Sequence, residues 1–265
     1  MRIEEIRKVW VSGDRNARND VQLWDSQADD PTYHHVYDEF LKLLEREHML
    51  DKSFDVLDIG CGVGVYSIAL AEKVHSVTGL DISPQMLRHG SKILNETGIA
   101  NVTLESADWS TVDLEKSGLN KRFDLVFAHN TPAICDADTF EKLIDSSRRF
   151  CAVCSPIKMT EPVMQKVMEL CGIGETCTGG NSFAYMLDML LQKDYLPKLH
   201  YEKQVWPMRQ SFEDACSFYL GRVSMSKQLS ESETEIVRDY LKSIMQDGII
   251  SDDISTTVVT MYWEK

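Results

Sequence analysis

The sequence predicts an α/β protein: a doubly wound, mostly parallel sheet of seven strands, with an N-terminal helical annex and a C-terminal helical insertion. Three observations carry this reading. From residue 54 onward, apolar segments alternate with helix-like stretches, the order that builds parallel βαβ units. The first apolar segment runs directly into glycines at 60, 62 and 64, in "VLDIGCGVGVYS". The closing "STTVVTMYW" is β-branched and aromatic, as a last strand should be.

Taken in order, the first 50 residues show no strand pattern, and "VYDEFLKLLEREHML" carries leucines and aromatics at helical spacing. Strands follow at "FDVLDIG", "HSVTGLDIS", "NVTLESAD" and "FDLVFAHN". The helix after the first strand is expected from about Tyr66 to Val74. The next begins at Ser83-Pro84, a capping residue followed by proline at the first helical position, and ends near Gly98. After the fourth strand, "DADTFEKLIDSSRRF" reads as a helix and "FCAVCSP" as a fifth strand stopped by Pro156. Residues 161–195 read as largely helical around a "GETCTGGNS" loop, with Phe183, Met186 and Leu190 as a core stripe. "KLHYEKQVW" is a sixth strand. Ser211 with Asp214, and Ser230 with Glu233, mark the starts of two more helices.

Composition narrows the partners. The chain has 265 residues, 43% of them hydrophobic, enough for a full core in one elaborated domain. No run approaches the ~18–20 apolar residues of a membrane span, and "MRIEEIRKVW" is charged where a signal peptide would be apolar, so a soluble, cytoplasmic protein without a membrane partner is expected. A formal charge of −14 with no basic cluster argues against nucleic acid. The seven cysteines are irregularly spaced, and Cys151 and Cys154 point to opposite faces of a strand; reduced thiols and no metal are expected.

A glycine-rich turn between strand and helix lets a ligand approach bare backbone. The G-x-G-x-G spacing differs from the G-x-G-x-x-G of dinucleotide sites. Asp58 stands at the loop entrance, Asp81 ends the second strand, and Asp108-Trp109 ends the third. A carboxylate behind the second strand can accept both ribose hydroxyls; each aspartate taken alone is equally a cap or turn residue.

Together, Asp58-x-Gly60-x-Gly62-x-Gly64, Asp81, Asp108-Trp109 and "FDLVFAHN" resemble the class I S-adenosylmethionine-dependent methyltransferases, most of all their small-molecule branch, over residues 54–156. The resemblance implies a Rossmann-like methyltransferase fold with an antiparallel seventh strand, S-adenosylmethionine as cofactor and S-adenosylhomocysteine as product. It implies that Gly60, Cys61, Gly62 and Gly64 border the methionine and ribose parts, with Asp58 supporting the methionine end. Asp81, with Ile82 beside it, takes the ribose hydroxyls. Asp108 accepts the adenine amino group, while the Trp109 backbone meets a ring nitrogen and its indole flanks the base. The whole chain is then one methyltransferase domain: annex and lid over 1–50, cofactor-binding core over 51–160, and acceptor-pocket elements over 161–265.

Methyl transfer is an in-line displacement, so useful acceptor groups belong at the end of the fourth strand. There "HNTPAI" offers His129 as a general base with a pKa near the working pH, or as an ordinary strand-end histidine, and Asn130 to orient an acceptor. It faintly resembles the Asn/Asp-Pro-Pro-aromatic motif of amino-group methyltransferases, with Thr131 for the first proline and Ala133 for the aromatic; without that ring, nucleic-acid and protein-amide acceptors are disfavoured and a small molecule is expected. "WDSQADDPTYHH" supplies Trp24, Tyr33, His34 and His35 as a lid or as a polar turn, and Tyr185 and Tyr219 are candidates for an acceptor wall. Two rivals remain at this level, an NAD(P)-dependent reductase and a non-catalytic adenosyl-cofactor sensor or scaffold. The oligomeric state is open.

Overall fold

The computed structural model describes residues 1–11, 17–29, 34, 36, 38–173, 180–224 and 227–265. Its helices and strands alternate much as the sequence predicts. Helices α1 (Ile3–Val9), α2 (Ala17–Ser26) and α3 (Asp38–Arg46) precede β1 (Asp55–Ile59), α4 (Val65–Leu70), β2 (Ser76–Asp81), α5 (Pro84–Thr97), β3 (Val102–Ser106) and β4 (Phe123–His129). Then come α6 (Ala137–Ser146), β5 (Ser147–Thr160), α7 (Pro162–Leu170), α8 (Gly180–Gln192), β6 (Lys198–Ser211), α9 (Phe212–Ser224), α10 (Glu231–Ile244) and β7 (Ile249–Glu264). The strands form one seven-stranded sheet in the order β3-β2-β1-β4-β5-β7-β6, parallel at every pairing from β3 to β5. Strand order reverses at β1, between β2 and β4, the position where open α/β sheets bind ligands beyond their carboxyl ends.

The chain divides into two compact units. The first comprises residues 1–155, 181–200 and 259–265. Its core gathers Leu57 and Ile59 of β1, Val126 of β4, Phe140 and Leu143 of α6, Cys151 of β5 and the Met186, Met189 and Leu190 face of α8. Met186 and Leu190 are buried and Phe183 packs beside them, as the stripe predicts. α1 belongs to this core through Ile6 and Trp10, and Arg7 pairs with Asp138 and Glu141 of α6. The second unit, residues 156–180 and 201–258, has its own core, where Val163, Val167, Tyr219, Val237, Leu241 and Ile250 meet. There Tyr219 donates its hydroxyl to the buried Asp252 at 2.9 Å, and Arg222 pairs with Glu161.

Caps follow the sequence signals. Ser83 accepts from the Met86 N–H, Pro84 opens α5, and Gly98 closes it at φ 71°. Ser230 and Glu233 form a reciprocal capping box, and Ser211 accepts from the Asp214 N–H. Several boundaries differ from expectation; α6 stops at Ser146 and β5 begins at Ser147, within the predicted helix, and β6 continues past Trp206 to Ser211. α4 ends at Leu70 rather than near Val74, because Leu70 and Ala71 already turn the chain back through Ala71 N–H to Ile68 and Lys73 N–H to Leu70. β5 runs through Pro156 to Thr160. Its ladder with β4 ends at the His129–Cys154 pair, so beyond it a proline lacking an N–H leaves no β4 carbonyl unserved. β7 starts at Ile249, six residues before the predicted segment, because Ile250, Asp252 and Ile254 alternate inward past exposed neighbours. Among the described residues no helix is long and apolar enough to cross a membrane, no group of histidine, cysteine and acidic side chains is placed to hold a metal, and six cysteines are free thiols.

Candidate functional site

The carboxyl ends of β1, β2, β3 and β4 bring the sequence-predicted residues together. The ladders pair Ile59 with Leu80 and with Ala128, and Asp81 with Ser106, so Asp58, Asp81, Asp108 and His129 all lie at one end of the sheet.

The turn after β1 is tied to β2. Gly60 and Cys61 both donate N–H to the Leu80 carbonyl, at 2.7 and 3.0 Å, and Gly62 donates to Asp81 Oδ2 at 2.8 Å. Gly60 has φ 69°, and Thr131 lies where its side chain would begin, with Thr131 Cβ 2.7 Å from that point. Gly62 has φ 56°, and among the described residues no atom lies within 4 Å of its missing Cβ. The first glycine is therefore required by packing against the loop after β4. The second borders open space, which is where a ligand can reach backbone. Gly64 is the N-cap of α4, also at positive φ. Cys61 is buried, and burial pushes its thiol well above the usual range, so it is an inert wall.

Asp81 is clamped from two sides. Gly62 N–H binds Oδ2 and Ser83 N–H binds Oδ1, both at 2.8 Å. A carboxylate has about four acceptor positions, so each oxygen keeps capacity for a further donor. Burial raises its pKa, against these backbone bonds, and Asp25 raises it further. Asp58 is 2% exposed and accepts the Ser67 hydroxyl at 2.7 Å. Burial first, and then nearby Asp81, push its pKa up to about 7.

Asp108 shapes the turn after β3: its Oδ1 accepts the Ser110 N–H at 3.0 Å and the Ser110 hydroxyl at 2.6 Å, and its carbonyl accepts from Thr111 and Val112. Lys142 holds the same turn from outside through the Trp109 and Ser110 carbonyls. The Trp109 indole differs from expectation. It is 3% exposed, sits in the core, and donates Nε1–H to the Thr139 carbonyl at 3.0 Å. An apolar ring with a satisfied N–H gains more from the core than from the cleft, so only the Trp109 backbone faces the expected task.

His129 lies among aromatic rings. Its ring lies 4.1 Å from Tyr66 and 4.8 Å from Phe40, centroid to centroid, and burial pushes its pKa down to about 3. An imidazole in that setting is neutral at any physiological pH and is a weak proton acceptor, not a base poised near neutrality. Asn130 adopts φ 47°, a left-handed conformation that asparagine tolerates, and its N–H closes on the Cys154 carbonyl at 2.8 Å.

The annex reaches this end of the sheet. Ala28 packs with Val63 and Met86, and Trp24 and Val65 join them. His34 lies 2.9 Å from the Ala28 carbonyl and edge-on to His89. Tyr33 and His35 lie outside the described residues. Tyr185 does not join the group: its ring stacks on Trp10 of α1 at 6.0 Å. Sequence reasoning missed Phe40 and Tyr66, which flank His129, and Asp25; only Phe40 had a signal, its place on the apolar stripe of α3.

Comparisons with known proteins identify the family. Residues 50–204 match the model of a family described as a methyltransferase domain. The chain belongs to that family, within the class I S-adenosylmethionine-dependent superfamily. Over 98 residues it is 35% identical to the 2-heptyl-1-hydroxyquinolin-4(1H)-one methyltransferase of Mycobacteroides abscessus, covering 36% of this chain and 40% of that protein. The chain thus spans less than half the length of that curated relative. Among solved structures it is similar to the YcgJ protein of Bacillus subtilis, with a TM-score of 0.52 and 15% identity over 86% of this chain and all of the other. A phosphoethanolamine N-methyltransferase of Haemonchus contortus, solved with phosphomonomethylethanolamine and S-adenosylhomocysteine, gives a TM-score of 0.54 at 16% identity, over 96% of this chain and 60% of that one. At such identities the structural likenesses speak for the fold.

Proposed function

We propose that this methyltransferase moves a methyl group from S-adenosylmethionine to a small-molecule acceptor. The observation that carries it is the open face of Gly62 beside Asp81, whose two oxygens are each held by one backbone N–H and keep room for ribose hydroxyls. Bound S-adenosylmethionine supplies an electrophilic methyl on a sulfonium. Asp108 and the Trp109 N–H, which makes no hydrogen bond among the described residues, are placed to take the adenine edge. Asp58, beneath the loop with its pKa pushed up to about 7 by burial, is placed to support a cationic methionine end when ionised.

The acceptor chemistry follows from His129. With its pKa near 3, the imidazole does not collect a proton at neutral pH. An acceptor that arrives already nucleophilic, such as a free amine, needs no proton taken by this histidine, and alignment and exclusion of water are then the enzyme's contribution. Asn130 and Thr131 offer polar groups for that alignment. A formal charge of −14 favours a neutral or cationic acceptor over a polyanion. Calorimetric titration with S-adenosylmethionine, S-adenosylhomocysteine and NADH tests the cofactor: binding of the first two and not the third is expected, and binding of NADH alone overturns the reading.

A further inference from the structure

Asp25, near the end of α2, reaches the start of α5. Its Oδ1 accepts the Ser83 hydroxyl at 2.6 Å and the Gln85 N–H at 3.1 Å. Ser83 is the N-cap of α5: its oxygen accepts the Met86 N–H at 3.1 Å, and its own N–H binds Asp81 Oδ1 at 2.8 Å. Three hydrogen bonds therefore run in series from Asp25 through Ser83 to Asp81 and on to Gly62. An apolar contact lies alongside, where Ala28 and Trp24 of the annex meet Val63 and Met86.

We infer that Asp25 is a positioning residue for the ribose acceptor, fixing Asp81 through the Ser83 cap. The chemistry is specific. A serine hydroxyl has one proton, and here it is spent on Asp25, so it does not compete for the Asp81 carboxylate two residues upstream. With the hydroxyl oriented, the Ser83 oxygen receives Met86 and the Ser83 N–H is held on Oδ1, which leaves the outer lone pairs of Asp81 for a ligand. The anion also sits at the positive end of α5, the favourable end for a carboxylate. One side chain thus couples the N-terminal annex to the cofactor loop, in a segment that contributes no strand to the sheet.

This inference rests on Asp81 as the ribose acceptor, and its test separates the two. Wild type, Asp25→Ala, Asp25→Asn and Ser83→Ala are titrated with S-adenosylhomocysteine and with its 2′-deoxyribose analogue, and each is melted without ligand. Wild type is expected to prefer the ribose form by about tenfold, one charge-assisted hydrogen bond. Asp25→Ala should bring that preference to within about threefold, since a misplaced acceptor no longer distinguishes a hydroxyl from its absence. Asp25→Asn, whose amide oxygen accepts the same two bonds, should retain it. Ser83→Ala keeps the Asp25 bond to Gln85 and breaks the series, so it should lose the preference even where Asp25→Ala is too unstable to assay. A uniform loss of affinity for both ligands, or a fall in melting temperature with the preference intact, marks a structural role only and overturns the inference. Absence of any preference in wild type overturns the Asp81 assignment, and the inference with it.

Discussion

Thr131, in the loop after β4, fills the space that a side chain at Gly60 would need, with its Cβ 2.7 Å from the missing carbon. Gly62, two residues on, faces no atom of the described residues within 4 Å. The same motif therefore holds two glycines in different settings, one packed against the loop after β4 and one facing open space.

Gly60→Ala should cost roughly 2 to 4 kcal/mol of stability, from left-handed strain plus overpacking against Thr131. Gly62→Ala should cost only about 1 kcal/mol, for strain alone, yet its methyl projects into the open space and should weaken S-adenosylhomocysteine binding. Melting and titration of both variants decide the matter. Equal binding loss with equal stability loss would show that the two glycines serve one structural turn.

Asp58 should make stability depend on pH. Its carboxyl titrates near 3.8 when unfolded and near 7 when folded, so between those values the folded state holds a proton that the unfolded state releases. Stability contributed by the neutral form is fully present below about pH 4 and lost as pH rises to about 7. Asp58→Asn, which still accepts from Ser67, should therefore be stabilising at pH 8 by up to a few kcal/mol and nearly neutral at pH 4. Parallel melting curves at the two pH values check it; a difference that does not grow with pH would show that the carboxylate is not held in an apolar setting.

These two carboxylates show how far the sequence carries. Asp81 and the glycines are readable because strand, turn and helix fix their places by local spacing alone. The burial of Asp58 beneath Ser67 is not, since the raised pKa depends on how α4 closes over the strand. His129 shows the same limit: its position behind β4 is local, while Phe40 arrives from α3, far earlier in the chain, and packs against the ring. Trp109 was legible as a strand-end residue and not as a core residue, because the Thr139 carbonyl that accepts its N–H belongs to α6. Asp25 carries no pattern of its own, as its partners Ser83 and Gln85 are brought to it only by the docking of α2 on α5.

His129→Leu should leave the shape of the pH–rate profile unchanged between pH 5 and 9, because an imidazole with pKa near 3 contributes no ionisation there. Melting should change little, with one apolar body replacing another between Tyr66 and Phe40. Loss of an acidic limb near pH 6 together with a fall of about a hundredfold or more in turnover would restore the histidine as general base.

Trp109→Phe should destabilise the fold by about 1 to 3 kcal/mol, since the Thr139 carbonyl loses its donor inside the core, while affinity for S-adenosylhomocysteine stays within about threefold, a change of less than 1 kcal/mol. A large loss of affinity with unchanged melting would return the indole to the adenine site.

Asp81 gives the sharpest pH test of binding. It must be ionised to accept two hydroxyls, and burial raises its pKa while Gly62 and Ser83 pull the other way. Affinity for S-adenosylhomocysteine should therefore be constant at neutral pH and fall on acidification through a pKa above the ordinary carboxylate value, as the proton competes with the ribose. Asp81→Asn removes that competition: it should bind more weakly at pH 7 by roughly 1.5 to 3 kcal/mol for a lost charge-assisted bond and should show no acid limb of its own. Its amide presents one acceptor oxygen, so the Gly62 and Ser83 N–H groups cannot both be served, and the loop should loosen as well as the ligand. Calorimetry from pH 4 to 8, with a melting curve at each pH to exclude acid unfolding, separates the two contributions. Wild-type affinity that does not fall toward pH 4 would remove the carboxylate from the ribose contact, leaving Asp81 as the structural link between the glycine turn and α5.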